Sequence, residues 1–156
     1  MSLGLLVRLP PKLTLVAEPN SPSQSHRQSP SQKLASYSCD LTSSTEAAAT
    51  LNAACSPFGG RAPDYIFACA GGCVPGIFAE MTAEQHWQCM EWNFKTALCT
   101  VHEGVRKMKE GKVKGKVVLT ASVMALMGFA GYSSYSPSKY AIRGELSGST
   151  FDEKAR

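Results

Sequence analysis

Ser122, Tyr135 and Lys139 are the residues whose types and spacing best fit a proton-transfer reaction. Tyr135 and Lys139 stand four apart in the run Tyr-Ser-Pro-Ser-Lys. Pro137 suits the first turn of a helix, so the phenol and the ammonium share one helix face. A cation beside a phenol favours phenolate and lowers a pKa that is otherwise about 10, which makes the hydroxyl a usable proton donor near neutral pH. Taken alone, Tyr-x-x-x-Lys is a weak pattern whose plain alternative is an exposed helix start. Ser122 comes thirteen residues earlier, where the apolar run Lys-Val-Val-Leu-Thr-Ala (116–121) ends. In open parallel sheets, ligands bind beyond the carboxyl ends of the strands.

Asn93 is the fourth candidate. Trp87, Met90, Phe94, Ala97, Val101, Val105 and Met108 recur at steps of three and four, the stripe of a helix packed on a sheet. Asn93 falls on that stripe, where an unpaired amide would cost about 1–3 kcal/mol. It either bonds a nearby carbonyl, the ordinary fate of a buried amide, or serves the site.

The elements that must position these residues alternate between strand and helix, the pattern of an α/β fold with a parallel sheet. Strands are expected at 35–39, 65–70 and 116–121, with one more at 12–17 (Lys-Leu-Thr-Leu-Val-Ala). The runs 65–70 and 116–121 are continuously apolar, as in strands covered on both faces. Ser43 with Glu46, and Thr82 with Gln85, have the spacing of capping boxes at two helix starts. The first helix runs to Ala54 and ends at Pro57-Phe58-Gly59-Gly60; the second carries the stripe. A third, opened by Pro137, is expected to be short, with Gly144, Gly148 and a polar tail at 147–156.

The chain has 156 residues, 44% of them hydrophobic and 18% charged, which fits one soluble globular domain. Its net charge of +4 is dispersed and does not form the basic face of a nucleic-acid binder. No apolar run approaches the roughly 18 residues of a membrane helix. Cysteines 39, 55, 69, 73, 89 and 99 show no metal-ligand spacing, so no metal site is expected, and they read as buried free thiols in a reducing compartment. Residues 1–35 differ in composition: a basic, apolar start is a weak match to a targeting peptide, and 19–32 repeats Ser-Pro-Ser-Gln. This stretch reads as a low-complexity or disordered leader.

The Ser122, Tyr135 and Lys139 constellation resembles the short-chain dehydrogenase/reductase family, whose signature is a Tyr-x-x-x-Lys with a Ser thirteen residues before the Tyr. Asp40-Leu41 resembles its adenine-contacting Asp, and Ala68-Cys69-Ala70-Gly71 its Asn-Asn-Ala-Gly turn. Asn93 falls where its helix Asn does. The resemblance covers about 36–146. The phrases Ser-Tyr-Ser-Cys-Asp-Leu-Thr, Ala-Cys-Ala-Gly-Gly-Cys-Val-Pro-Gly and Gly-Tyr-Ser-Ser-Tyr-Ser-Pro-Ser-Lys-Tyr-Ala-Ile-Arg-Gly are most similar to the fungal 3-ketodihydrosphingosine reductases of that family. The resemblance implies an incomplete Rossmann-like, doubly wound parallel sheet that reduces a ketone with NADP(H), NAD(H) remaining open. Tyr135 would donate the proton, Lys139 would lower its pKa and hold the nicotinamide ribose, Ser122 would bind the carbonyl and Asn93 would anchor a water. Asp40, Leu41, Ala70 and Gly71 would line the cofactor. Between Ser122 and Tyr135, the apolar Val123, Met124, Leu126, Met127, Phe129 and Tyr132 either pack or receive a lipid-like ketone. Full-length relatives are expected at the cytosolic face of the endoplasmic reticulum membrane, through segments outside this sequence, and could be homo-oligomers.

The sequence also departs from the family. No Gly-rich phosphate turn is present, since Gly4 is the only glycine before Gly59. Glu18 stands where NADP-using members carry an Arg, and Ala68 and Cys69 replace both asparagines. Seventeen residues follow Lys139, fewer than the family's last strands need. A partial domain with weak dinucleotide affinity is therefore expected. The alternatives are a reductase of the same family acting on an oxoacyl chain or steroid, and a non-catalytic module that keeps only the sheet.

Overall fold

The computed structural model describes the backbone of residues 5–9, 13–16 and 33–154, and the side chains of residues 36–148. The strands are β1 (Leu5–Leu9), β2 (Leu13–Val16), β3 (Lys33–Ala35), β4 (Tyr65–Ala68) and β5 (Lys116–Leu119). The helices are α1 (Ser44–Cys55), α2 (Ala83–Met90), α3 (Thr96–Glu110) and α4 (Tyr135–Lys154). The sheet order is β3-β2-β1-β4-β5. Parallel pairing, as expected, joins β4 to β5 and β2 to β3.

The sequence reading did not foresee β1, which runs antiparallel to both neighbours. Three residues separate it from β2, enough for a hairpin, whereas a parallel connection needs a dozen or more. The expected strand at 35–39 lies earlier, at Lys33–Ala35, and the two site strands end at Ala68 and Leu119, two residues sooner than read. Glu18 and the repeated Ser-Pro-Ser-Gln lie outside the described residues.

Both expected helix starts form. Thr82 and Gln85 make a reciprocal capping box, at 3.3 Å and 2.9 Å. Ser43 Oγ accepts from the Glu46 N–H, while the Glu46 carboxylate reaches past the cap to the N–H of Asp40, at 2.8 Å. That contact ties the end of the 36–40 segment to the start of α1.

The long stripe helix contains a π turn, Glu91–Lys95, between α2 and α3. One extra residue in a helix rotates the downstream side chains by about 100°, so a stripe counted across it loses phase. Trp87, expected against the sheet, is 67% exposed, and Cys89 is buried in its place. Beyond the turn Ala97 and Met108 pack as read.

The core has two parts. Leu41, Ala47, Leu51, Ala54 and Cys55 pack against Ile66 and Met108, with Val117 beside them. Ala68, Ala97 and Ile142 form the second, with Phe94, Val101 and Leu119. Helices α1, α3 and α4 therefore meet the sheet on the face of Ile66 and Ala68. The other face of β4 and β5 carries Tyr65, Phe67, Lys116 and Val118, and Val118 is 42% exposed. Full burial of both faces, expected from the continuous apolar runs, is not found, because no described helix covers this side. Helix α4 is longer than expected and continues through Gly144 and Gly148 to Lys154. The six cysteines are free, and two, Cys55 and Cys89, are buried.

Candidate functional site

Of the expected residues, Gly71, Asn93, Lys139 and Tyr135 come together at the carboxyl ends of β4 and β5, and Ser122 follows two residues after Thr120. Because these strands are parallel and in register, with Ala68 opposite Leu119, both chains leave the sheet on the same edge. The N–H of Thr120 still bonds the carbonyl of Ala68, at 3.1 Å. Cys69, Ala70 and Gly71 leave β4 on one side of this edge, and Thr120 to Ser122 leave β5 on the other.

Lys139 reaches this edge from the second turn of α4. It is 4% exposed, and its ammonium donates to the carbonyl of Thr120 at 2.9 Å. Nζ lies 5.5 Å from the centre of the Tyr135 ring, so the expected pair does share a helix face. Burial lowers the Lys139 pKa, and the neighbouring Cys69 thiol partly opposes that shift. One N–H of the ammonium is used by Thr120, which leaves donors for a ligand hydroxyl. Tyr135 is half-buried, with its ring edge-on to Tyr132 at 6.4 Å.

Asn93 sits inside the π turn and is 1% exposed. Its amide N–H groups donate to the carbonyls of Gly72 and Cys89, both at 2.8 Å, and its Oδ1 accepts from the Gly72 N–H at 3.3 Å. The ordinary reading of a buried amide applies here. One donor and Oδ1 clamp Gly72, in the segment after β4, to the helix, and the second donor is spent on the Cys89 carbonyl one turn back in the same helix. Gly71 is required by the same clamp: a Cβ there would collide with Asn93 Oδ1 and lie 3.8 Å from Lys139 Nζ. Gly71, Asn93 and Lys139 thus converge.

Ser122 caps the short turn Val123–Ala125, where its Oγ accepts from the Met124 N–H at 3.2 Å. An accepting hydroxyl keeps its proton for a ligand carbonyl. Asp40 is exposed, and its Oδ1 accepts from the Thr42 hydroxyl at 2.8 Å and the Thr42 N–H at 2.9 Å. These bonds hold its carboxyl below the usual range. Leu41 is fully enclosed in the core, so only its main chain can face a ligand. Ala70 is half-buried against the same core.

Sequence reasoning missed Thr120 and Gly72, because each acts through its backbone and no residue type announces a carbonyl. It also missed the bond from Thr120 Oγ1 to the exposed Cys69 Sγ, at 3.0 Å. The signal available was the parallel pairing of two strand ends. Among the described residues no cluster of His, Cys, Asp or Glu could hold a metal.

Apolar side chains surround this edge. Gly76 and Tyr132 form an isolated parallel bridge, with the Gly76 N–H on the Gly131 carbonyl at 2.9 Å. Their segments carry Ile77, Phe78, Val123, Leu126, Met127 and Phe129, all exposed. Next to Ser134, a cleft of about 270 Å³ is lined by His86, Trp87, Met90 and Pro137.

The chain is similar to known proteins in sequence and in fold. A 3-ketodihydrosphingosine reductase of Cryptococcus neoformans is 37% identical over 115 residues, which are 74% of this chain and 34% of that protein. The 3-ketodihydrosphingosine reductase of Dictyostelium discoideum is 35% identical over 113 residues, covering 72% and 34%. The chain spans about a third of the length of these relatives. Among solved structures, NAD+-bound xylitol dehydrogenase superposes with a TM-score of 0.72 at 24% identity, over 78% of this chain and 46% of its own. A short-chain dehydrogenase from Streptomyces avermitilis gives 0.66 at 25% identity, over 78% and 44%. The short chain dehydrogenase family matches residues 7–155, a span that holds both strand ends, the Asn93 clamp and the Tyr135–Lys139 pair. The chain belongs to the short chain dehydrogenase family.

Proposed function

We propose that this chain carries the catalytic part of an NADP(H)-dependent reductase acting on 3-ketodihydrosphingosine, or a closely similar long-chain ketone, in sphingolipid synthesis. The observation that carries the reading is the Lys139 ammonium, buried at the strand ends beside the Tyr135 ring and anchored to Thr120. The relatives named as 3-ketodihydrosphingosine reductases support the substrate class.

The ribose end of a nicotinamide dinucleotide fits here. Lys139 spends one N–H on Thr120 and has donors to spare for ribose hydroxyls. Asp40, the main chain of Leu41, Ala70 and Gly71 would line the rest of the cofactor. When bound, the nicotinamide supplies a hydride. Tyr135 gives its phenolic proton to the carbonyl oxygen, and the Lys139 charge stabilises the phenolate left behind. Ser122 donates to the same oxygen and fixes its position. The Asn93 amide has no donor left for a water, so its part is to hold Gly72 and the adjoining Gly71.

Ile77, Phe78, Leu126, Met127 and Phe129 do not pack into the core, which favours the docking of an aliphatic chain over a purely structural role. No helix among the described residues is long and apolar enough to cross a membrane. Residence on the cytosolic face of the endoplasmic reticulum membrane is proposed for the full-length protein, through segments outside this sequence.

The test is product identification by mass spectrometry. Incubation with NADPH and a sphingoid 3-ketone should give the 3-hydroxy product. Conversion of an oxoacyl thioester or a steroid ketone instead would replace the substrate assignment, and dependence on NADH alone would replace the cofactor assignment. No dinucleotide binding in calorimetric titration would leave only a non-catalytic module.

A further inference from the structure

We propose that Cys73 and Cys89 close to a disulfide across the Asn93 clamp when a small-molecule disulfide is offered as oxidant. The Cys89 side chain is fully buried on α2. Its Sγ accepts from the Val74 N–H at 3.4 Å and donates to Ser134 Oγ at 3.5 Å. Cys73 immediately precedes Val74, so the Cys89 sulfur lies within about 6 Å of the Cys73 Cα. The segment 72–75 is neither helix nor strand, and Cys73 is half-buried. Rotation of one side chain and a small shift of this segment bring the sulfurs to the bonding distance of about 2.05 Å. Burial first, and then the neighbouring Cys89, push the Cys73 thiol above its usual range, so the reaction accelerates as pH rises.

The other thiols are placed differently. Cys55 is enclosed in the α1 core, and Cys39 and Cys99 pack against that core. Cys69 is the exposed competitor, beside Thr120. With glutathione disulfide, the Cys73 thiolate attacks one sulfur, forms a mixed disulfide and releases one glutathione thiolate. The Cys89 thiol loses its proton to solvent, attacks the Cys73 sulfur and displaces the second glutathione thiolate. Two protein thiols are oxidised, and glutathione disulfide is reduced to two glutathione molecules. The bond adds a covalent tie between the segment and helix that Asn93 already joins at Gly72 and the Cys89 carbonyl. It also removes the S–H donor from Ser134, the residue before Tyr135.

The experiment equilibrates the full chain in a glutathione redox buffer at pH 8, alkylates the free thiols and cleaves after glutamate. Cleavage after Glu46, Glu80, Glu84 and Glu91 puts Cys89 on 85–91 and Cys73 on 47–80 with Cys55 and Cys69, which fragment-ion sequencing of the linked pair tells apart. The expected result is a Cys73–Cys89 linked peptide pair exceeding every other pairing by about tenfold or more. It persists in Cys69→Ser and is lost in Cys73→Ser. A dominant Cys69 pairing, glutathione adducts alone, or the same distribution as in denatured chain would each overturn the proposal.

Discussion

The ammonium of Lys139 is anchored 2.9 Å from the main-chain oxygen of Thr120, the first residue after β5. The lysine is therefore oriented by the sheet, and the phenol of Tyr135 is placed against a charge that is already fixed. Burial works against that charge and lowers the Lys139 pKa. The Thr120 carbonyl offsets part of the desolvation by accepting a charge-assisted bond.

Tyr135→Phe should remove the proton donor and keep the ring, so ketone turnover should fall by about 100-fold or more with dinucleotide affinity little changed. Lys139→Ala should reduce both. Steady-state kinetics with a binding titration separates the two, and near wild-type turnover in Tyr135→Phe would sink the catalytic assignment.

Gly71→Ala should break the Asn93 clamp, because its Cβ collides with Asn93 Oδ1. Loss of the bonds to Gly72 should cost about 1–3 kcal/mol in urea unfolding and weaken dinucleotide binding. Gly128→Ala is the control, since nothing lies within 4 Å of its added Cβ. Equal stability of the two variants would show that the clamp does not hold the segment after β4.

Glu145 is half-buried on α4, and its Oε2 is buried with no hydrogen-bond partner among the described residues. Burial raises its pKa above the ordinary glutamate value of 4.5. A carboxyl raised in the folded state contributes fully below its unfolded pKa and loses that contribution as pH rises through the folded value. Glu145→Gln should thus stabilise the fold at pH 7.5 by about 1 kcal/mol, roughly 3 °C in melting midpoint, and change little at pH 4. A gain of the same size at both pH values would refute the charge-burial account.

Ile66 and Val118 sit on adjacent strands and opposite faces, 1% and 42% exposed. Ile66→Ala should cost about 2–5 kcal/mol by opening a cavity under α1 and α3, whereas Val118→Thr should change stability by less than about 0.5 kcal/mol. If the open face associates with other copies, Val118→Thr should lower the association seen by light scattering. A large stability loss in Val118→Thr would mean that the face is covered.

Local chemistry was legible in the sequence. Ser43 and Thr82 announce two helix starts, and Pro137 announces a third. Tyr135 and Lys139 need only the pitch of one helix to meet. These features depend on residues within about one turn of each other, so residue type and spacing suffice. The exposure of Trp87 was not legible, because the π turn at Glu91–Lys95 has no compositional mark, yet one added residue shifts the phase of a whole stripe. The antiparallel pairing of β1 with β4, the open face carrying Val118 and the Thr120 anchor of Lys139 were decided by tertiary structure alone. Each rests on which distant strand or helix supplies a backbone carbonyl or covers a face. Backbone groups are the same in every residue, so their partners are set by the packing of remote elements and leave no trace in the order of side chains.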